Sequence, residues 1–230
     1  MTSYDASREG APRVLVATAV PAERDAVARA LPAGPGVDVL AVGVGPVSAA
    51  AGTATALARA AATGRPYALV VSAGIGGGFP PDVPVGSLVV ADEITVADLG
   101  AETPEGFAPV TELGFGTVTH GPPPSLVRDV AAATGAATGT VLTVSTVTGS
   151  AERAAALRLR HPRALAEAME GFGVAEAAAL HGLPVLEVRA ISNAVGPRDR
   201  DAWRIGAALA ALTEAFGKLT PVLEGWNDHD

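Results

Sequence analysis

Ala168-Met169-Glu170-Gly171-Phe172-Gly173-Val174-Ala175-Glu176-Ala177-Ala178-Ala179-Leu180-His181-Gly182-Leu183-Pro184-Val185-Leu186-Glu187-Val188-Arg189-Ala190-Ile191-Ser192-Asn193-Ala194-Val195-Gly196 is the stretch on which the fold turns. The Ala-rich run opened by Glu170 predicts a helix that stops at Gly182, because glycine takes the left-handed backbone that ends helices. Pro184 follows, and Val185–Ile191 reads as a strand. That strand ends in Ser192-Asn193, at the carboxyl end where α/β sheets receive ligands. A carboxylate and an amide, separated by one helix and one strand, can therefore return to one crevice.

Outward from this unit the same alternation recurs. Arg13–Ala19 is a short apolar run and reads as a buried strand. Pro21 stands where a helix would begin, and Glu23, Val27 and Leu31 follow in a helix that ends near Pro32. Val37–Val42 and Tyr67–Ala73 predict strands, with an Ala-rich helix over Val47–Thr63 between them. Val85–Ala91 is a further strand, Ser125–Thr134 a helix and Gly139–Ser145 a strand. Gly149-Ser150 caps a helix over 151–160, Pro162 ends it, and Ala164–Met169 leads into Glu170. Asp201–Leu219 carries Trp203, Ile205, Leu209, Leu212 and Phe216 at helical spacing. Residues 1–12 read as a flexible leader and 220–230 as a flexible tail. Residues 92–124 read as an irregular excursion of the kind that serves function or subunit contact. The pattern predicts one α/β domain over 13–219, with a central mixed, mostly parallel twisted sheet flanked by helices.

Composition narrows the function. The chain has 230 residues, enough for one domain with a sizeable core, and 49% of them are hydrophobic. A net charge of −8 argues against nonspecific binding to nucleic acid or to an anionic membrane, both of which need a basic surface. With no cysteine, disulfides, thiolate nucleophiles and Cys metal sites are excluded. His120, His161, His181 and His229 lie far apart with no i,i+4 pair, so no metal site is expected. The polar first twelve residues carry no secretory core, and no apolar run is long enough to span a bilayer. The expectation is a cytoplasmic protein without metal or organic cofactor.

Gly74-Ile75-Gly76-Gly77-Gly78 is the strongest local signal. Read as a loop after the third strand, its four glycines let backbone N–H groups approach a ligand closely. A plain turn with close helix–sheet packing is the alternative. A dinucleotide fingerprint is a poor fit, because Phe79 stands in its last position and the run follows the third strand. No Walker lysine follows, Lys218 being the only lysine, and no Gly-x-Ser-x-Gly elbow occurs. Glu23 on spacing alone reads as a surface acid complementing its helix dipole. Glu170 admits the same reading, and Ser192-Asn193 could simply start a loop. Together, however, these groups could open at one edge of the sheet.

Three blocks in this order carry a resemblance: Ala17-Thr18-Ala19-Val20-Pro21-Ala22-Glu23, Val71-Ser72-Ala73-Gly74-Ile75-Gly76-Gly77-Gly78-Phe79, and Ala168-Met169-Glu170-Gly171 followed by Arg189-Ala190-Ile191-Ser192-Asn193. From Arg13 to Phe216 the chain resembles the nucleoside phosphorylase/nucleosidase superfamily, most closely its methylthioadenosine/adenosylhomocysteine nucleosidase branch. Within it, Asp98-Leu99-Gly100-Ala101-Glu102-Thr103-Pro104-Glu105-Gly106-Phe107 is similar to the futalosine hydrolases, a family of the futalosine route to menaquinone. The resemblance implies a nucleoside phosphorylase-like fold, a small-molecule nucleoside substrate and a homo-oligomer, dimer or tetramer, with 98–124 reaching a neighbour's site. It implies that Glu23 activates the attacking water, that Glu170 binds a ribose hydroxyl and that Met169 packs against the sugar. It further implies that the Val147 backbone meets the purine edge. Gly74, Ile75 and Gly76 would line the ribose and nucleophile region, and Ser192 would stand beside Asn193.

Two departures carry information. The adenine-cleaving branch has Asp where Asn193 stands and an aromatic residue where Thr146 stands. A 6-oxopurine presents a carbonyl at C6, which needs a donor, whereas a carboxylate offers acceptors only. The Asn193 amide can donate to O6 and accept from a protonated N7. A mismatched buried polar pair costs about 1–3 kcal/mol, roughly a ten- to hundredfold preference. Asn193 therefore points to hypoxanthine or guanine and away from adenine. The expected activity is N-glycosidic hydrolysis of a 6-oxopurine nucleoside, with futalosine, a hypoxanthine nucleoside, the foremost substrate. Phosphorolysis is the alternative. It needs a cationic phosphate site, where Glu23 would repel the anion although Arg24 is adjacent. A methylthioadenosine/adenosylhomocysteine nucleosidase and a catalytically silent nucleoside-binding protein complete the alternatives.

Overall fold

The structure, a computed structural model, describes residues 13–31 and 36–226. Its elements in chain order are β1 (Val14–Thr18), α1 (Pro21–Ala28), β2 (Val37–Ala41), α2 (Pro46–Ala62), β3 (Leu69–Gly78), β4 (Leu88–Val96), β5 (Gly100–Thr103), β6 (Gly106–Pro109), β7 (Thr119–His120), α3 (Pro124–Thr134), β8 (Ala137–Thr143), α4 (Ala151–Arg160), β9 (Ala164–Ala168), α5 (Gly171–Leu180), β10 (Val185–Ala194) and α6 (Ile205–Gly225). This is the mixed, mostly parallel α/β architecture that the alternation predicts. The leader 1–12, Pro32 and residues 227–230 lie outside the described residues.

One sheet organises the chain, in the order β10-β4-β8-β9-β3-β1-β2, with β7 on β4. β10 also pairs with β3, so β3, β10, β4, β8 and β9 close into a five-stranded ring from which β1 and β2 extend. Closure depends on β3 changing partner along its length. Leu69–Ser72 pair with β1, whereas Gly77 and Gly78 pair with β9. Bulges in β4 and β10, at Ala91/Glu93 and Ile191/Asn193, add the local bend that a ring requires.

Both faces of the sheet's central strands are covered, so most of their positions are apolar. Along β1, Leu15 and Ala17 face α2 and α5, while Val14 and Val16 face α1, α3 and α6. Phe79, Leu142, Val144 and Leu157 form a third cluster beneath α4. Glycine permits a close approach between helices: a side chain on Gly173 would overlap the Pro46 carbonyl, so its absence lets the amino ends of α5 and α2 touch.

Three expectations change. Gly74–Gly78 is not a loop but the second half of β3, because its backbone pairs with β10 throughout and, at Gly77 and Gly78, also with β9. Residues 92–124 are more regular than expected: β4 runs to Val96, β5 and β6 form an antiparallel hairpin, and β7 pairs with β4. α6 begins at Ile205 and runs past Leu219 to Gly225. Leu223 continues the apolar row from Leu219, both fully buried, and this packing outweighs Pro221 inside the helix.

Candidate active site

Glu23 is the third residue of α1, and the chain enters that helix straight from β1. The expected surface position does not hold, since Glu23 is 4% exposed. Its Oε2 accepts from the N–H groups of Ala19 (2.9 Å) and Val20 (3.3 Å), closing the helix start on itself. Its Oε1 accepts from the Ile75 N–H at 2.9 Å, across to β3. A carboxylate accepts along about four directions. Three are filled, so one remains for a ligand or a water.

Glu170 sits at the N-cap of α5, after β9. The contact between Gly173 and Pro46 brings the start of α2 beside it, and Glu170 Oε1 accepts from the Gly45 N–H at 3.2 Å. The starts of α2 and α5 thus both lie beside one buried carboxylate. Oε2 accepts from the Met169 N–H and from Arg189 Nη1, each at 3.3 Å. As with Glu23, three directions are taken and one is left.

Arg189 ties these groups together. It is 1% exposed at the middle of β10, and all three nitrogens donate internally. Nε donates to Glu187 Oε1 at 2.8 Å, Nη1 to Glu170 and Nη2 to Ser72 Oγ at 2.9 Å. Burial works against its charge, but Glu187, Glu170 and Glu23 outweigh burial and push its pKa above the usual arginine value. Glu187 is fully buried. Burial pushes its carboxyl up, Arg189 opposes this and Glu170 adds to it.

The glycine run of β3 lies between these groups. A Cβ on Gly74 would stand 2.6 Å from Glu23 Oε1 and 2.7 Å from Arg189 Nη1. A Cβ on Gly77 would stand 3.2 Å from Asn193 Nδ2. At a strand rise of about 3.3 Å per residue, Gly74 and Gly77 are roughly 10 Å apart along β3, and their odd separation turns the two Cβ directions to opposite faces. One end of the run gathers carboxylates and the guanidinium; the other gathers the amide.

At that second end, Asn193 pairs with Gly77 just after the β10 bulge. Its Oδ1 accepts from Ser192 Oγ at 2.9 Å, and Nδ2 donates to the Ala194 carbonyl at 3.0 Å. Ser192 Oγ also reaches the Gly76 carbonyl at 3.2 Å. Thr146 and Val147 are exposed on the loop between β8 and α4. They share no hydrogen bond with the cluster, but Thr148 donates to Glu167 through N–H (2.8 Å) and Oγ1. Glu167 in turn pairs with Gly77, which anchors the loop to the same strand. Burial pushes the Glu167 carboxyl up, against the two Thr148 hydrogen bonds.

The structure thus gathers Glu23, Gly74, Ile75, Gly76, Met169, Glu170, Ser192 and Asn193 along β3, and leaves Thr146 and Val147 at the rim. Sequence reasoning gave no role to Arg189, Glu187, Ser72 or Glu167. The available signal was charge inside otherwise apolar strands, since a buried strand tolerates Glu and Arg only when they are paired. Two surface hollows, of about 350 and 260 Å³, lie elsewhere: one between α3 and α6, the other between the 98–107 segment and α4. Among the described residues no group of His, Asp or Glu is arranged to hold a metal ion.

The family model of the Phosphorylase superfamily matches residues 18–222, and the chain belongs to that superfamily. It is 70% identical to a futalosine hydrolase of Streptomyces coelicolor, covering 94% of this chain and 99% of that one. It is 44% identical to a futalosine hydrolase of Acidothermus cellulolyticus, covering 89% of each chain. Within the superfamily, then, it belongs with the futalosine hydrolase family. In fold it matches the 5'-methylthioadenosine/S-adenosylhomocysteine nucleosidase of Neisseria meningitidis in complex with methylthio-immucillin-A. That match has a TM-score of 0.77 at 19% identity and covers 91% of this chain and 99% of that one.

Proposed function

We propose that the chain hydrolyses the N-glycosidic bond of futalosine, releasing hypoxanthine and dehypoxanthine futalosine on the route to menaquinone. The observation that carries hydrolysis over phosphorolysis is the charge balance at Gly74. Three buried carboxylates, Glu23, Glu170 and Glu187, surround one guanidinium whose nitrogens are all engaged. Arg24, the neighbouring cation, is turned to Asp25 at 2.7 Å. Such a site repels phosphate and favours the positive charge that develops on the ribose in an oxocarbenium-like transition state.

The residues divide the reaction between them. Glu23 takes a proton from water along its free direction as the water oxygen bonds to C1' and the C1'–N9 bond breaks. Glu170 holds a ribose hydroxyl along its own free direction, in a charge-assisted bond that strengthens as the sugar becomes cationic. Met169 packs on the sugar, and Gly74, Ile75 and Gly76 form the wall beside it. Asn193, next to Ser192, stabilises the leaving base through its amide, with the Val147 backbone at the purine edge and Thr146 beside it. An amide carries no titratable proton, so the proton that ends on hypoxanthine comes from solvent.

The test is to incubate the protein with futalosine, inosine and methylthioadenosine in phosphate-free buffer and follow base release. Release of hypoxanthine from futalosine is expected; base release that requires added phosphate would overturn the hydrolytic reading. We also infer a cytoplasmic homo-oligomer, a dimer or tetramer in which the 98–124 segment contacts a neighbour. Supporting it, Leu99, Leu113 and Phe115 of that segment are 42, 41 and 63% exposed. No helix among the described residues is long and apolar enough to cross a membrane. A single monomeric species in sedimentation velocity at assay concentration would sink the oligomer.

A further inference from the structure

Of the three carboxylates around Arg189, Glu187 differs from the other two. Glu23 and Glu170 each take three hydrogen bonds from separate parts of the chain. Glu187 takes one, from Arg189 Nε, and its Oε2 is buried with no hydrogen-bond partner among the described residues. It lies two residues before Arg189 on β10, so both side chains leave the same face of the strand. Space for it is reserved at the start of α5, where a side chain on Gly171 would overlap the Glu187 carboxylate.

A buried ion pair is a poor device for stability alone, because apolar side chains of similar volume do as well or better. What Glu187 does provide is direction. The guanidinium is a planar fork. With Nε fixed by Glu187, the plane can turn no further, and its two Nη atoms are aimed at Glu170 and Ser72. We propose that Glu187 is a positioning residue for sugar recognition: by clamping Arg189 from behind, it holds the Glu170 carboxylate in the orientation that meets the ribose. The inference rests on the role of Glu170 under the proposed function and extends it to a residue that touches no substrate.

The action is on the sugar and not on the base, which separates it from a general loss of structure. The ligands to compare are hypoxanthine and 9-deazainosine, whose carbon–carbon glycosidic bond resists hydrolysis. In Glu187→Met, which keeps length and removes the acceptor, the Kd for 9-deazainosine should weaken about tenfold, the scale of a lost charge-assisted hydrogen bond. The Kd for hypoxanthine should stay within about twofold of the parent, on the same reasoning. Glu187→Gln, whose amide oxygen can still accept from Nε, should recover most of the nucleoside affinity. Gly171→Ala displaces the Glu187 carboxylate without removing it. It should show the same selective loss, and it keeps the question decidable if Glu187→Met does not fold. Equal weakening of both ligands, or unchanged nucleoside affinity in folded variants, overturns the inference. If the unsubstituted chain binds neither ligand, the proposed function fails as well; if it binds both and the variants match it, only the role of Glu187 fails.

Discussion

The two ends of the glycine run are built in opposite ways. At Gly74, Glu23, Glu170 and Arg189 are almost wholly buried, and each makes three hydrogen bonds, at least one of them to an element far away in the chain. At Gly77, Asn193 is half-buried and its amide bonds only to its own neighbours, Ser192 and Ala194. Thr146 and Val147, on the loop that Thr148 ties to Glu167, are exposed. The first end is preorganised: its charges are fixed before any ligand arrives, as electrostatic catalysis requires. The second is looser, its amide held only by local partners. Under the proposed function, chemistry falls to the rigid end and base choice to the adaptable one.

The largest effect that could break this division lies at the rigid end. Glu23→Gln keeps the shape and removes the base, and turnover should fall by ~10² or more with binding largely kept. Steady-state kinetics on futalosine would decide it, and near-normal turnover ends the assignment. Gly74→Ala comes next. Its methyl would press on Glu23 Oε1 and Arg189 Nη1, both buried and both hydrogen-bonded. A displacement on the ångström scale should cost roughly 10- to 100-fold in turnover. Full activity in this variant would mean that the Gly74 end is not preorganised.

Effects at the base end should be smaller and concern choice more than rate. Asn193→Asp should move the ratio of hypoxanthine- to adenine-nucleoside cleavage by about tenfold toward adenine, on the scale of one mismatched polar pair. An unchanged ratio, measured on inosine and adenosine, would show that the amide does not read the base. Smallest is a stability effect at Glu167, the carboxyl that anchors the Thr148 loop. Its pKa is raised by burial. Such a group holds its proton more tightly folded than unfolded, so its contribution is fully present below the unfolded pKa and is lost as pH rises through the folded one. Glu167→Gln removes that loss, so its melting temperature should gain on the parent by a few degrees between pH 4 and pH 8. A gap that does not change with pH would remove the buried charge from the account.

Much of the fold was legible because α/β alternation is a local pattern. Glu23 after Pro21, the helix after Glu170 and the strand ending at Asn193 could all be placed from spacing. The glycine run was misplaced as a loop for an equally plain reason. Glycine has low strand propensity, and only neighbours distant in sequence made Gly74–Gly78 a strand. Arg189 and Glu187 were visible as letters, but a charge in an apolar strand does not say which partner neutralises it.

By itself, then, the sequence determined the order of elements outside 92–124, the placing of Glu23 and Glu170 at helix starts, and the amide at the end of β10. These are matters of period, capping and residue chemistry within a few positions. Tertiary structure alone decided that β3 and β10 close the ring, and that both acids are buried. It also decided that one guanidinium joins Glu170, Glu187 and Ser72. Those outcomes depend on pairing across more than a hundred residues, as between Ser72 and Arg189. Local sequence cannot encode them, because burial and charge balance belong to the neighbours a fold supplies.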